Sequence, residues 1–291
     1  MLTKNTTVKT DKDVNFDMSI ISDIHADKDT DYSVLDRYIK EFGKYNLQYI
    51  AVLGDLVNDG TDIESAKRVS DYLAKMGKIA PVMMVLGNHD KVTLKDGRWF
   101  IIKNDEDLAK FNEMVSIFKS IPGVYFLSNN GVLFGDVYFY GMDPETKFYL
   151  DATPIPEKID LLYSHIIDMS KFNYNVLLAH SPQLVIDKRM IEAMRFYNDV
   201  DLILSGHMHN GFLPPYMEWM FPGNKGLLAS ENGKPYLFPD NAKGSVQLRD
   251  NLTGIIANPV CTIPSFKGKI QKYNSLYPPV VQNIRVRKLI K

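Results

Sequence analysis

The chain has 291 residues, 45% of them hydrophobic, enough to bury the core of one large α/β domain. Its 34 Lys and Arg nearly cancel its 35 Asp and Glu, so bulk charge gives no case for nucleic acid or an anionic membrane as the main partner. The one cysteine, Cys261, excludes an internal disulfide and reads as a small buried hydrophobe. No apolar run approaches the roughly 18 residues of a membrane span, and the polar opening residues lack the apolar core of a signal peptide. The expectation is a soluble, cytoplasmic protein with no membrane span, which leaves room for peripheral contact.

Along the chain, short apolar runs alternate with helical patterns. Met18 to Ser22 reads as a strand. Val34, Leu35, Tyr38, Ile39 and Phe42 then recur at spacings of three and four, which predicts a helix over 31–43. Tyr49–Leu53 is a second strand, followed by the helical stripe Ile63, Ala66, Val69, Tyr72, Leu73 and Met76. Val82–Leu86 is a third strand, followed by a helix carrying Leu108, Phe111, Met114, Val115 and Phe118. Strand-like pieces at 124–127, 131–134 and 137–140 are broken at Asn129-Asn130-Gly131 and Gly135-Asp136, and an Asn-Gly step between apolar runs signals a hairpin. Helices are expected over 156–169 and 184–196, around strands at 175–179 and 201–205. The part 211–291 is rich in Pro, Gly and Asn, with short strand-like pieces and no convincing helix. Alternating strands and helices followed by a strand-rich part suggest two stacked sheets with helices outside, in a single domain over 1–291. The core of motifs spans 16–210, and 211–291 is expected to complete the second sheet.

Five strands end in polar residues that a strand does not need. They run into Asp23-Ile24-His25, Gly54-Asp55, Gly87-Asn88-His89-Asp90, His180, and Gly206-His207-Met208-His209. In α/β sheets, ligands collect beyond the carboxyl ends of the strands. Five of the six histidines sit in these clusters, and the sixth, His165, reads as an ordinary helix residue. In extended backbone, residues i and i+2 point the same way, so Asp23 with His25, and His207 with His209, can aim paired donors. Asp, Asn and His together suit Mn, Fe or Zn better than a thiolate or plain calcium site. The donors are too many for one tetrahedral ion; two ions about 3.5–4 Å apart, bridged by a carboxylate, would use them all.

The ordered set Asp-x-His, Gly-Asp, Gly-Asn-His-Asp, a lone His and Gly-His-x-His, spanning residues 23–209, resembles the calcineurin-like metallophosphoesterase superfamily. The resemblance implies a four-layer α/β/β/α sandwich of two mixed sheets flanked by helices. It also implies a division of labour. Asp23, His25, Asp55 and His209 would hold one metal, and Asp55, Asn88, His180 and His207 the second, with Asp55 as the bridge. His89 would donate a hydrogen bond or proton toward the leaving group, with Asp90 fixing its tautomer. The Asp-Arg pair of the protein Ser/Thr phosphatase branch is missing, since Asn58-Asp59-Gly60 stands there. The chain therefore looks more like the small-molecule and bacterial branches.

The expected function is hydrolysis of small-molecule phosphate mono- or diesters by hydroxide activated between two divalent cations. Two rivals differ in kind. One is a non-catalytic interaction scaffold on the same fold, which the complete motif set disfavours. The other is a nuclease of the same superfamily, which the near-neutral charge disfavours. The aromatic, Met-rich segment 211–223 reads as a wall packed on the second sheet, with an apolar lid over the site as the alternative.

Overall fold

The computed structural model describes residues 1–149, 153–163, 168–193, 199–231, 234–262 and 276–289. In chain order the main elements are β1 (Leu2–Thr10), β2 (Phe16–Ile21), α1 (Ser33–Phe42), β3 (Tyr49–Leu53), α2 (Ile63–Gly77), β4 (Val82–Val85), β5 (Val92–Lys95), β6 (Arg98–Ile101), α3 (Asp105–Lys119), β7 (Val124–Phe126), β8 (Asn130–Phe134) and β9 (Val137–Met142). They continue with α4 (Ile155–Tyr163), β10 (Tyr174–Ala179), α5 (Gln183–Ile186), α6 (Lys188–Ala193), β11 (Leu202–Ser205), β12 (Leu228–Glu231), β13 (Lys234–Leu237), β14 (Gly244–Arg249), β15 (Leu252–Ile256) and β16 (Val280–Lys288).

Two six-stranded sheets dominate, ordered β1-β16-β2-β3-β4-β7 and β14-β15-β11-β10-β9-β8. Both are mixed. In the first, β2, β3, β4 and β7 run parallel and β16 lies antiparallel to β2. In the second, β9, β10, β11 and β15 run parallel, with β8 and β14 antiparallel at the edges.

Three apolar clusters make the layers. Met18, Ile20, Leu53, Met83 and Val85 of the first sheet face Phe139, Val176, Leu178, Leu202 and Leu204 of the second. The other face of the first sheet is covered by Leu35, Tyr38 and Phe42 of α1, Val69, Leu73 and Met76 of α2, and Met114 and Phe118 of α3. The outer face of the second sheet packs on Phe148, Met169, Leu184, Val185 and Met190. The result is the four-layer α/β/β/α arrangement, and the strands of both inner faces read as continuous apolar runs because both their faces are covered. Burying each such Val, Leu, Ile, Phe or Met side chain contributes about 1.5–3 kcal/mol.

Local chemistry sets the helix starts. The Asp62 carboxylate accepts from Ser65 N at 3.0 Å to cap α2, and Asn104 Oδ1 accepts from Asp107 N at 2.9 Å to cap α3.

Several expectations are corrected. The helix expected over 184–196 is two short helices, α5 and α6, separated by an extended Asp187; residues 194–198 lie outside the described part. α4 ends at Tyr163; 164–167, including His165, lie outside the described residues, and 168–169 are not helical. Asn129-Asn130-Gly131 is not a hairpin turn: β7 belongs to the first sheet and β8 to the second, so the chain crosses between sheets there. The hairpin turns instead at Gly135-Asp136, where Gly135 adopts φ +57°. The polar opening residues form β1, an edge strand in parallel register with β16. Among the described residues, the part 211–291 adds β14 and β15 to the second sheet, while β16 inserts into the first sheet between β1 and β2.

Candidate metal centre

The parallel strands of the two sheets end at one place. Asp23 and His25 follow β2, Asp55 follows β3, Asn88 and His89 follow β4, His180 follows β10, and His207 and His209 follow β11. Two groups of donors form there. Asp23, His25, Asp55 and His209 place one ligand atom each within 4.8 Å of one another, and so do Asp55, His180 and His207. Asp55 is common to both. Asn88 joins the second group, with its Oδ1 3.1 Å from His180 Nε2. All eight sequence-derived candidates other than Asp90 therefore gather at one locus.

The backbone is bent to achieve this. Asp23, His25, Asp55, His207 and His209 all have left-handed φ, between 47° and 71°. Such conformations are uncommon outside glycine and concentrate where function requires them. Gly54, at φ +83°, and Gly87 let the second and third motifs touch: a Cβ on Gly54 would strike the Gly87 backbone and the His180 ring, and one on Gly87 would strike the Asp55 carboxylate.

Hydrogen bonds orient the donors. His180 Nδ1 lies 2.6 Å from the Leu53 carbonyl, and His209 Nδ1 lies 3.0 and 2.9 Å from the carbonyls of Cys261 and Thr262. A carbonyl only accepts, so each Nδ1 carries a proton and each Nε2 is left to face the centre. Asp23 accepts from Ser22 Oγ at 2.6 Å and from His207 N at 3.1 Å, and Asp55 Oδ1 accepts from His89 N at 2.8 Å. Cys261, expected to be a buried hydrophobe, is half-buried, and its carbonyl serves His209.

The charges are those of a cation site. His25 Nε2 lies 3.2 Å from His209 Nε2, and His207 Nδ1 lies 3.2 Å from His180 Nε2. Two ring nitrogens at that distance repel unless a proton or cation lies between them. Asp55 Oδ2 is buried with no hydrogen-bond partner, 3.4 Å from His25 Nε2 and 3.2 Å from His180 Nε2. Burial would raise the Asp55 pKa, but His180, His89 and His25 outweigh it and hold the carboxyl well below its ordinary range. Burial would lower His180, yet the Asp55 carboxylate lifts it to about 9. Burial pushes His207 down to about 3, assisted by His180, and lowers His25 and His89. A buried carboxylate shared by both donor groups and ringed by imidazoles is a donor set that could hold two divalent cations.

The role given to Asp90 is corrected. Asp90 lies in a short 3₁₀ turn over His89–Lys91, and its carboxylate is not a partner of His89 Nδ1, which has none. It accepts instead from the backbone N–H of Leu56, Val57 and Gly87 at 2.8, 2.9 and 2.8 Å, tying the second motif to the third. Burial, reinforced by Asp55, pushes its pKa up to about 7. His89 Nδ1 is buried without a hydrogen-bond partner, and its ring meets the edges of Trp99 and His25 at 4.5 and 4.7 Å.

Trp99 and Tyr149 are neighbours that sequence reasoning missed. Trp99 comes from the β5–β6 hairpin, whose turn signal Asp96-Gly97 was readable. Segment 211–223 is a wall only at its start, where Phe212 stacks on His209 at 5.8 Å and Leu213 is buried. Farther on, Trp219 is 81% exposed, which a residue of a packed wall would not be.

The sequence profile of the calcineurin-like phosphoesterase family matches residues 19–211, a span that contains every motif described above. The chain belongs to this family. Members of the family are in general hydrolytic phosphoesterases with a dinuclear metal site. A metallophosphoesterase of Campylobacter jejuni is 21% identical over 198 residues, which are 68% of this chain and 45% of that protein's length. Of solved structures, the TT1561 protein of Thermus thermophilus superposes with a TM-score of 0.49 at 9% identity, covering 85% of this chain and 91% of the other. A 5'-nucleotidase-like protein of Staphylococcus aureus superposes with a TM-score of 0.47 at 13% identity, covering 85% and 49%. Among the described residues, no helix is long and apolar enough to cross a membrane.

Proposed function

We propose that this calcineurin-like phosphoesterase hydrolyses small-molecule phosphate mono- or diesters with two divalent cations of the Mn, Fe or Zn type. The observation that carries the reading is the pair of donor groups joined at Asp55. Asp23, His25, Asp55 and His209 would hold one cation, and Asp55, Asn88, His180 and His207 the other. When bound, the cations supply Lewis-acid charge to phosphoryl oxygens and lower the pKa of water.

The protein's own groups do the rest. Backbone carbonyls of Leu53, Cys261 and Thr262 fix the His180 and His209 tautomers. Asp90, locked into three backbone N–H groups, keeps the second and third motifs at constant separation. His89, held neutral by burial and edge-on to Trp99, offers an N–H to the leaving oxygen without being needed as a ligand.

The reading is tested by hydrolysis of bis-p-nitrophenyl phosphate and p-nitrophenyl phosphate with Mn²⁺ and then with EDTA. Chelator-sensitive turnover is expected, and the ratio of the two rates assigns diesterase or monoesterase. Protein that carries two metals and turns over neither these nor a panel of natural esters would contradict it.

A further inference from the structure

Three buried polar atoms at this centre have no hydrogen-bond partner: Asp55 Oδ2, His89 Nδ1 and the Tyr149 hydroxyl. Buried polar groups in folded proteins are nearly always satisfied, and each exception asks for an explanation. The first two have roles in the proposed reaction. Tyr149 has none so far.

Its position supplies one. Tyr149 ends the 3₁₀ turn Thr146–Tyr149 that follows β9, at the same sheet end as the metal-binding residues. Its ring centroid lies 6.1 Å from that of His180 and 6.3 Å from that of His207, both in the second donor group. The ring itself is well held. It meets Phe148 edge-on at 5.5 Å, and Lys91 Nζ sits 5.8 Å from its centroid. A phenylalanine would fill the same space, so the hydroxyl serves no packing purpose. Burial, reinforced by the carboxylates of Asp143, Asp55 and Asp90, pushes its pKa well above the ordinary value, so the oxygen keeps its proton and remains a donor.

The loop that carries Tyr149 is fastened to the third motif. Lys91, next in sequence to Asp90, forms an ion pair with Asp143 and donates to the Pro144 carbonyl at 2.8 Å. Asp143 also accepts from Ser128 Oγ at 2.7 Å, and its backbone is bracketed by the Asn129 side chain at 2.9 Å on both sides. The charge of Lys91 is thereby neutralised, and the ring beside His180 and His207 carries a neutral hydroxyl.

We propose that Tyr149 is a further substrate-binding residue, whose hydroxyl donates a hydrogen bond to a phosphoryl oxygen on the His180–His207 side of the centre. Lys91 is its positioning residue. The inference rests on the phosphoesterase reading above. It involves no proton transfer, only a donor placed in advance of the charge it meets.

The test is Tyr149→Phe in metal-loaded protein, with inorganic phosphate as the probe. Phosphate affinity by calorimetry and kcat/KM should each fall about ten-fold or more, the usual effect of losing one hydrogen bond to a charged acceptor. Metal content should match the wild type. The melting temperature without phosphate should stay or rise, because the variant removes a polar atom that has no partner in the fold. Lys91→Met should weaken phosphate binding in the wild-type background and add nothing in the Tyr149→Phe background. Phosphate affinity and kcat/KM both within about two-fold of wild type would overturn the proposal while leaving the phosphoesterase reading standing. Weakened phosphate binding in a protein that hydrolyses no ester would support the contact and remove the reading it rests on.

Discussion

The two halves of the candidate metal centre are built differently. The half made by Asp23, His25 and His209 is sealed: all three residues are buried, the Asp23 carboxylate takes hydrogen bonds from Ser22 and His207, and His209 is tied to two carbonyls. The half made by Asn88, His180 and His207 is more open. Asn88 and His207 are only half-buried, and the unpartnered hydroxyl of Tyr149 belongs to this side. A sealed half with saturated partners suits the task of holding a cation. A half with accessible donors and an unpartnered hydroxyl suits the task of meeting a substrate. Asp55 lies between them and is the one group both halves need.

The comparison can be broken most severely at that shared group. Asp55→Asn should abolish activity and weaken binding of both cations, measured by elemental analysis after dialysis; normal turnover at full metal content would remove the bridge. His89→Ala removes a group that is not among the proposed ligands. It should keep both metals yet lose on the order of 10²–10⁴ in rate, as general acid–base residues do. Loss of metal in that variant would make His89 a ligand and erase the distinction between holding and reacting groups.

Acidity sharpens the contrast. His180, lifted to about 9 by Asp55 against the opposing effect of burial, is protonated at neutral pH in the metal-free protein. Because its folded pKa is raised, the His180–Asp55 pair stabilises the metal-free fold fully below the ordinary histidine pKa of 6.5, and that contribution is lost as pH rises through about 9. A cation must displace this proton, so affinity at the open half should rise up to about pH 9, roughly ten-fold per unit for one proton. Calorimetry in buffers of different ionisation enthalpy should detect about one proton released per chain at pH 7. Uptake with no proton release and a flat pH dependence would contradict the pairing. The smallest effect lies outside the centre. Trp219 is 81% exposed, so Trp219→Ala should change stability by no more than about 0.5 kcal/mol in chemical denaturation. A larger loss would mean that segment 211–223 packs as a wall along its whole length.

What the sequence made legible follows the same division. Metal chemistry demands particular side chains at strand ends, so the five motifs stood out without any knowledge of packing. The two inner sheets were legible as apolar runs for the same reason, since strands covered on both faces must be apolar. Contacts set by turns were not. Asp90 is adjacent to His89 in sequence, yet one 3₁₀ turn sends its carboxylate into the backbone of Leu56, Val57 and Gly87. β1 was invisible because only Val8 of its nine residues is buried; the strand rests on backbone pairing with β16, which leaves little trace in side-chain pattern. Tyr149 was invisible because its place depends on the Lys91–Asp143 ion pair, which joins residues 52 apart in sequence.

The most direct test of the account is electron paramagnetic resonance of the protein titrated with Mn²⁺. Two equivalents should bind per chain, and the spectrum at saturation should be that of two exchange-coupled ions sharing a bridge. A spectrum of isolated Mn²⁺ ions at every loading, or saturation at one equivalent, would contradict a dinuclear centre joined at Asp55.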